Sequence, residues 1–122
     1  MATATWLGVG RQSASPAPFP IPGEHDRITV EVFNTTDVDG LARDATRRLR
    51  RSGIDVVYVG TGREEPVDST LILVRRGAPA SGERVRAALG VGRVEAAPDP
   101  RLLLDVSVLL GPDAAEGLRR HP

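Results

Sequence analysis

The residues that could do chemistry in this sequence are few, and their spacing does not assemble a catalytic site. Glu64, Glu65 and Asp68 form a small acidic group, which could serve acid–base catalysis only if it were buried and positioned. Its place beside a proline favours a solvated loop. Two Gly-x-Gly stretches, at 60–62 and 90–92, match the start of a dinucleotide-binding motif but do not continue as one. We therefore predict no nucleotide or other cofactor.

Nucleophilic and metal-ligating side chains are equally sparse. The chain has no cysteine, which excludes disulfides, zinc ribbons and thiol catalysis. His25 and His121 have no partners at metal-ligand spacing, and no serine stands in a Gly-x-Ser-x-Gly motif. The 16 basic residues balance 16 acidic ones, which argues against a nucleic-acid binder. We predict a protein without catalytic residues and without a metal site.

The candidate binding residues begin in one polar loop. Asn34, Thr35, Thr36 and Asp37 follow an apolar run and precede a helical pattern. The first three match the N-glycosylation sequon, but short polar side chains at such a place more often bond the loop backbone. We expect Asn34 to do so, and Thr36 or Asp39 to cap the helix that follows.

Four further candidates lie on the elements that flank this loop. Glu31 and Phe33 alternate with buried positions of the first strand, so they should point to the open face of a sheet. Arg47 and Arg50 lie on the outer faces of the first helix. A solvated helix face explains these arginines, but the alternative is an electrostatic contact surface for anionic polymers or lipid headgroups.

The elements that position these residues follow in the order βαββαβ. Strands are predicted near 28–33, 54–59, 71–74 and 106–110, and helices near 41–52 and 81–89. Gly53 and Gly90 are placed to stop the two helices. Polar positions alternate with apolar ones in the first and last strands, which favours an α/β sandwich of two layers. We predict a ferredoxin-like four-stranded sheet with two helices on one face; the alternative is a small three-layer α/β fold.

The chain divides into three parts. Residues 1–26 hold an apolar patch and then a spacer with alternating prolines, which favours extended polyproline II and which we expect to be flexible. The patch is either a disordered tail or the end of a membrane anchor. Residues 27–113 form the predicted domain, and residues 114–122 are expected to be a tail or one short helical turn.

Several of these motifs together resemble the LytR C-terminal domain family. Members begin with a V-x-V-L-N-G-T-G-like strand and loop, followed by G-L-A at the start of a helix. Here "VEVFN" from Val30 and "GLA" from Gly40 match that pattern. "ALGVGRV" at 88–94 resembles the exit of the second helix, and "DVSVLLGPD" at 105–113 resembles the closing strand. Thr35 and Asp37 stand where the family often has glycine.

The resemblance implies an extracytoplasmic, membrane-associated domain of the cell envelope that has no catalysis of its own. Its partner would be an envelope protein or a cell-wall glycopolymer, with a membrane tether through the N-terminal spacer and no contact to nucleic acid. The alternative is a soluble cytoplasmic module for protein interaction or regulation.

Overall fold

The computed structural model describes residues 27–61 and 65–120, without the side chains of residues 119 and 120. The spacer, the acidic Glu64 and both histidines lie outside the described residues. This part of the chain contains five strands and three helices, in the order βαββαββα. The strands are β1 (Thr29–Asn34), β2 (Asp55–Thr61), β3 (Leu71–Val74), β4 (Arg93–Ala96) and β5 (Val106–Leu110). The helices are α1 (Leu41–Arg51), α2 (Pro79–Leu89) and α3 (Pro112–Arg120).

The strands form one mixed sheet in the order β2-β1-β5-β3-β4. β5 lies at its centre, between β1 and β3. β1 pairs in parallel with both β2 and β5, whereas β3 pairs antiparallel to β5 and parallel to β4. The predicted two-layer α/β sandwich is confirmed. The sheet has five strands where a four-stranded ferredoxin-like sheet was predicted, and three of its four strand pairs are parallel.

The helices pack together on one face of the sheet. α1 contacts both α2 and α3, and a single core cluster joins the inner residues of the strands to all three helices. Leu41, Ala45 and Leu49 of α1 are fully buried, as their spacing of four residues predicts. The stops at Gly53 and Gly90 are confirmed, since these glycines have φ values of 81° and 78°.

Two elements are absent from the prediction. β4 has only four residues, two of which, Arg93 and Glu95, are charged. The strand is therefore too short and too polar to show a clear alternation of apolar and polar residues. α3 occupies the stretch where a tail or one helical turn was expected. Ala114 and Leu118 of this helix are buried in the core, so tertiary packing extends a segment whose own pattern is weak.

No helix in the described ranges is long and apolar enough to cross a lipid bilayer.

Candidate functional site

One face of the sheet carries no helix in the described part of the chain. On β1 this open face presents Thr29, Glu31 and Phe33, which alternate with the core residues as the sequence predicts. The Phe33 ring lies beside that of Tyr58 on β2, with ring centroids 5.6 Å apart and planes inclined at 53°. Gly60 permits this close arrangement, because a β-carbon there would lie 3.0 Å from both rings. The two aromatic rings therefore form one apolar patch.

A polar row crosses the open face next to the aromatic pair. Ser107 of β5 lies opposite Glu31 of β1 and donates its hydroxyl to the Glu31 carboxylate. Arg75, just after β3, donates to the Ser107 hydroxyl at 2.9 Å and to the carbonyl of Ala97 at 3.0 Å. Ser107 is fully buried by these neighbours. The row links β1, β5 and the end of β3, so the hydroxyl of Ser107 is held in a network that joins these strands.

The loop after β1 is organised by its own side chains. The Asn34 carbonyl oxygen accepts from the amide and the hydroxyl of Thr36, and the Asn34 amide donates to the carbonyl of Val38 at 2.9 Å. The predicted backbone role of Asn34 is confirmed. Thr36 accepts the Val38 amide and so closes the loop. The N-cap position of α1 is Gly40, so the prediction that Thr36 or Asp39 occupies that position is wrong.

Thr35 ties this loop to its neighbours. Its hydroxyl donates to the carbonyl of Leu110 at 2.8 Å and accepts the amide of Val67 at 3.2 Å. The side chain thus joins the ends of β1 and β5 to the segment before β3. Buried and bonded twice, it has a structural task that a glycine could not perform.

Two shallow clefts flank the loop at the carboxyl ends of β1 and β2. One, of about 350 Å³, runs between β2 and α1, and its walls include Asn34, Arg43, Thr46, Val59 and Thr61. The other, of about 400 Å³, lies on the far side and is lined by Thr35, Thr36, Asp37, Pro66, Val67 and Pro112. The four predicted loop residues are thus brought together, with Asn34 on one cleft and the other three on the second.

Thr46 is the one described side chain with a buried polar atom that has no hydrogen-bond partner. It belongs to the wall of the cleft between β2 and α1, and it is only 8% exposed. A buried hydroxyl without a hydrogen-bond partner lowers the stability of the folded domain.

The arginines of α1 divide into two kinds. Arg47 is exposed and pairs with Asp44 one turn away, as expected of a solvated face. Arg48 donates to the carbonyl of Leu89 at 3.1 Å and so caps the last turn of α2. Arg50 donates to the carbonyl of Val56 at 3.1 Å, at the start of β2. Arg43 projects over the cleft beside β2. Arg47 and Arg50 therefore differ, and sequence reasoning could not separate them.

The partly buried carboxylates near the sheet hold backbone groups. Asp105 accepts the amide and the hydroxyl of Thr29 and pairs with Arg76 at 2.9 Å. Partial burial acts to raise the pKa of Asp105, but the Thr29 amide and Arg76 outweigh it and lower the pKa. Asp113 likewise accepts the amide and the hydroxyl of Thr70, at the start of α3. These groups stabilise the ends of strands and helices.

The position of β2 at the edge of the sheet is a feature that the sequence pattern does not reveal, although the strand itself is predicted. It is an edge strand, and Val57, Tyr58 and Val59 are 56%, 52% and 44% exposed. A continuous apolar run is typical of a buried strand, so composition gave no sign of an edge. In the structure, Arg50 reaches the carbonyl of Val56 from this open side of the strand.

A family profile matches most of the part of the chain that forms this fold. The family profile described as "LytR cell envelope-related transcriptional attenuator" matches residues 27–113. The chain belongs to the LytR C-terminal domain family. This match spans all five strands and the first two helices and ends early in α3. The resemblance seen in the sequence is confirmed, and the domain is related to the cell envelope.

Among solved structures, the LytR C-terminal domain is similar to the solution structure of the C-terminal domain of RV0431. The similarity covers 91% of this chain and 89% of that one, with 23% identity and a TM-score of 0.45. None of the curated proteins matches this chain.

Thr35 and Asp37, where the family resemblance predicts glycine, have different surroundings in the structure. Thr35 bonds Leu110 and Val67, whereas Asp37 lines the cleft of about 400 Å³. In this chain the loop is therefore held in place by side-chain hydrogen bonds of Thr35.

Proposed function

We propose that this LytR C-terminal domain is a binding domain without catalytic activity, which contacts a partner protein of the cell envelope through the open face of its sheet. It acts on the outer side of the cytoplasmic membrane and is tethered there through the N-terminal spacer. Family membership supports the envelope context.

The observation that carries the proposal is the aromatic pair on the open face. Phe33 and Tyr58 form an apolar patch beside the polar row of Glu31, Ser107 and Arg75. Apolar anchors surrounded by polar groups are typical of protein contact surfaces. The described polar side chains that might do chemistry are engaged in structural hydrogen bonds, which supports a binding function over an enzymatic one.

Affinity capture from a solubilised envelope extract tests this proposal. The tagged domain should retain an envelope protein, and Phe33→Ala should weaken that retention while changing the melting temperature little, because the ring is only half-buried. Arg84→Ala on the opposite, helical side is the matched control. Unchanged capture by Phe33→Ala together with a large loss of stability would contradict the proposal.

A second candidate function is the binding of an anionic cell-wall glycopolymer by α1. The exposed residues of this helix include Arg43, Arg47, Arg50 and Arg51, which would attract phosphate or carboxylate groups of such a polymer. Sedimentation with purified cell walls distinguishes the two. Polymer binding should fall with added salt and with Arg47→Ala and Arg51→Ala together, and Phe33→Ala should leave it unchanged.

A further inference from the structure

The two edges of the sheet are protected very differently. β4 has only four residues and carries a charged pair, Arg93 and Glu95, joined at 2.6 Å. Short, charged edges of this kind are a common defence against unwanted strand pairing. β2 has seven residues, and its middle three are apolar and about half exposed. A long edge strand with an apolar, exposed middle, in a sheet whose other edge is short and charged, indicates a place where another strand can pair.

Part of the β2 edge is already occupied. Asp55 donates its amide inward, to the carbonyl of Ile28 at 2.9 Å. Peptide groups of successive strand residues point to opposite sides, so the carbonyl of Val56 points outward, and there it accepts from Arg50. The register between β1 and β2 shifts just after this residue. The exposed part of the edge therefore begins at Val57 and continues to Thr61.

The cleft of about 350 Å³ lies beside this free part of the edge. Val59 and Thr61 form its wall on β2, and Arg43 and Thr46 form its wall on α1. Strands that add to a sheet gain affinity from main-chain hydrogen bonds and specificity from pockets that receive every second side chain. The cleft is such a pocket, and its one charged lining residue is cationic.

The charge on this side of the domain decides which kind of strand fits. Arg43 lines the cleft and Arg50 reaches Val56, so both lie on the β2 side of α1. A second copy of this chain, paired edge to edge, would bring the same arginines together and would be repelled. An added strand with acidic side chains would meet them with opposite charge.

We propose that the edge of β2 binds an extended, acidic segment of a partner protein as an added strand, with an acidic side chain of that segment paired to Arg43. This inference rests on the proposed function in taking the partner to be a protein. It assigns to that partner a second contact, distinct from the aromatic patch on the open face.

The test uses the purified domain and two synthetic peptides about ten residues long, the length of an ordinary strand and its ends. One peptide alternates valine with glutamate, and the other alternates valine with lysine. Nuclear magnetic resonance should show that the glutamate peptide shifts and protects the amides between Val57 and Thr61. The lysine peptide should do neither. Affinity should fall as salt is added.

Two variants locate the contact, and each has a matched control. Val59→Asp and Arg43→Glu each alter an accessible side chain, and each should weaken binding of the glutamate peptide at least about tenfold. Ala96→Asp on the β4 edge and Arg84→Glu on α2 make the same changes at exposed positions elsewhere and should leave affinity unchanged. Circular dichroism establishes that each variant is folded.

Four results would overturn the proposal. They are equal binding of both peptides, shifts at β4 in place of β2, self-association of the domain through β2, and loss of binding only in the two control variants. The peptide assay contains no envelope component, so a negative result contradicts only the proposal of an added strand. The capture experiment with Phe33→Ala remains a separate test of the proposed function.

Discussion

Replacing the threonine at position 46 by valine should stabilise the domain. Thr46 is 8% exposed, and its hydroxyl is buried without a partner among the described residues. Leaving such a group unbonded costs about 1–3 kcal/mol, and valine has nearly the same shape and helix propensity. We expect Thr46→Val to raise the free energy of unfolding by about 1 kcal/mol. For a domain of this size, that gain corresponds to a melting temperature about 4–8 °C higher.

The same chemical change at position 35 should have the opposite sign. Thr35 is 9% exposed, almost the same as Thr46, but its hydroxyl makes two hydrogen bonds. In Thr35→Val the carbonyl of Leu110 keeps the Thr35 amide as a donor at 3.2 Å, whereas the amide of Val67 loses its acceptor. We expect a loss of about 1–3 kcal/mol.

Urea denaturation followed by circular dichroism measures both variants under one set of conditions. Subtracting the change in the free energy of unfolding of one variant from that of the other removes the contribution that both share, the exchange of a hydroxyl for a methyl group. If Thr46→Val destabilises the domain as much as Thr35→Val does, the hydroxyl of Thr46 is satisfied in solution and the reasoning is refuted.

Three further predictions concern stability. Leu49→Ala should cost about 2–5 kcal/mol, because this fully buried side chain packs between α1 and the sheet; a smaller loss in denaturation would show that the site collapses. Arg48→Ala should cost about 1 kcal/mol, because Arg48 caps α2, whereas Arg47→Ala should cost less than about 0.5 kcal/mol; equal losses would contradict the division of the arginines. The lowered pKa of Asp105 means that the unfolded chain binds its proton first, so its contribution to stability is present above about pH 4 and is lost as the pH falls through the folded-state value. As the pH is lowered, the melting temperature should therefore fall less steeply for Asp105→Asn than for the natural chain.

Much of the fold follows from simple periodicity in the sequence. The alternation in β1 and β5 identifies both strands and the residues that point away from the core, since each strand has one face on the helices and one face on the open side of the sheet. The spacing of Leu41, Ala45 and Leu49 identifies α1 and its buried side. These elements combine a clear pattern with a clear glycine boundary.

The elements that the sequence did not predict depend on tertiary contacts. β4 is short and half charged, and it pairs because β3 presents an edge to it. α3 extends because Ala114 and Leu118 reach the core. The N-cap residue of α1 is misjudged because Gly40 adopts a left-handed conformation there, with φ of 82°, so that the helix begins directly after a glycine.

The candidate site was predictable only in part. Asn34 and its loop follow from the local chemistry of short polar side chains, and the outward direction of Phe33 follows from the strand period. Tyr58 was not among the candidates, because the pairing that brings it beside Phe33 joins two strands distant in sequence. Sheet order also made β2 an edge, and no local pattern records sheet order.

The most direct measurement of the central claim is site-specific photo-crosslinking in intact cells. A photoreactive phenylalanine analogue in place of Tyr58, beside the open face, should form an adduct with an envelope protein, because this side chain belongs to the aromatic patch and is half exposed. The same analogue at Ala87, an exposed position of α2, is the control. An adduct found at position 58 alone and recovered with the envelope fraction is the result that we expect. Equal adducts at both positions, or an adduct only with cytosolic proteins, would contradict the account.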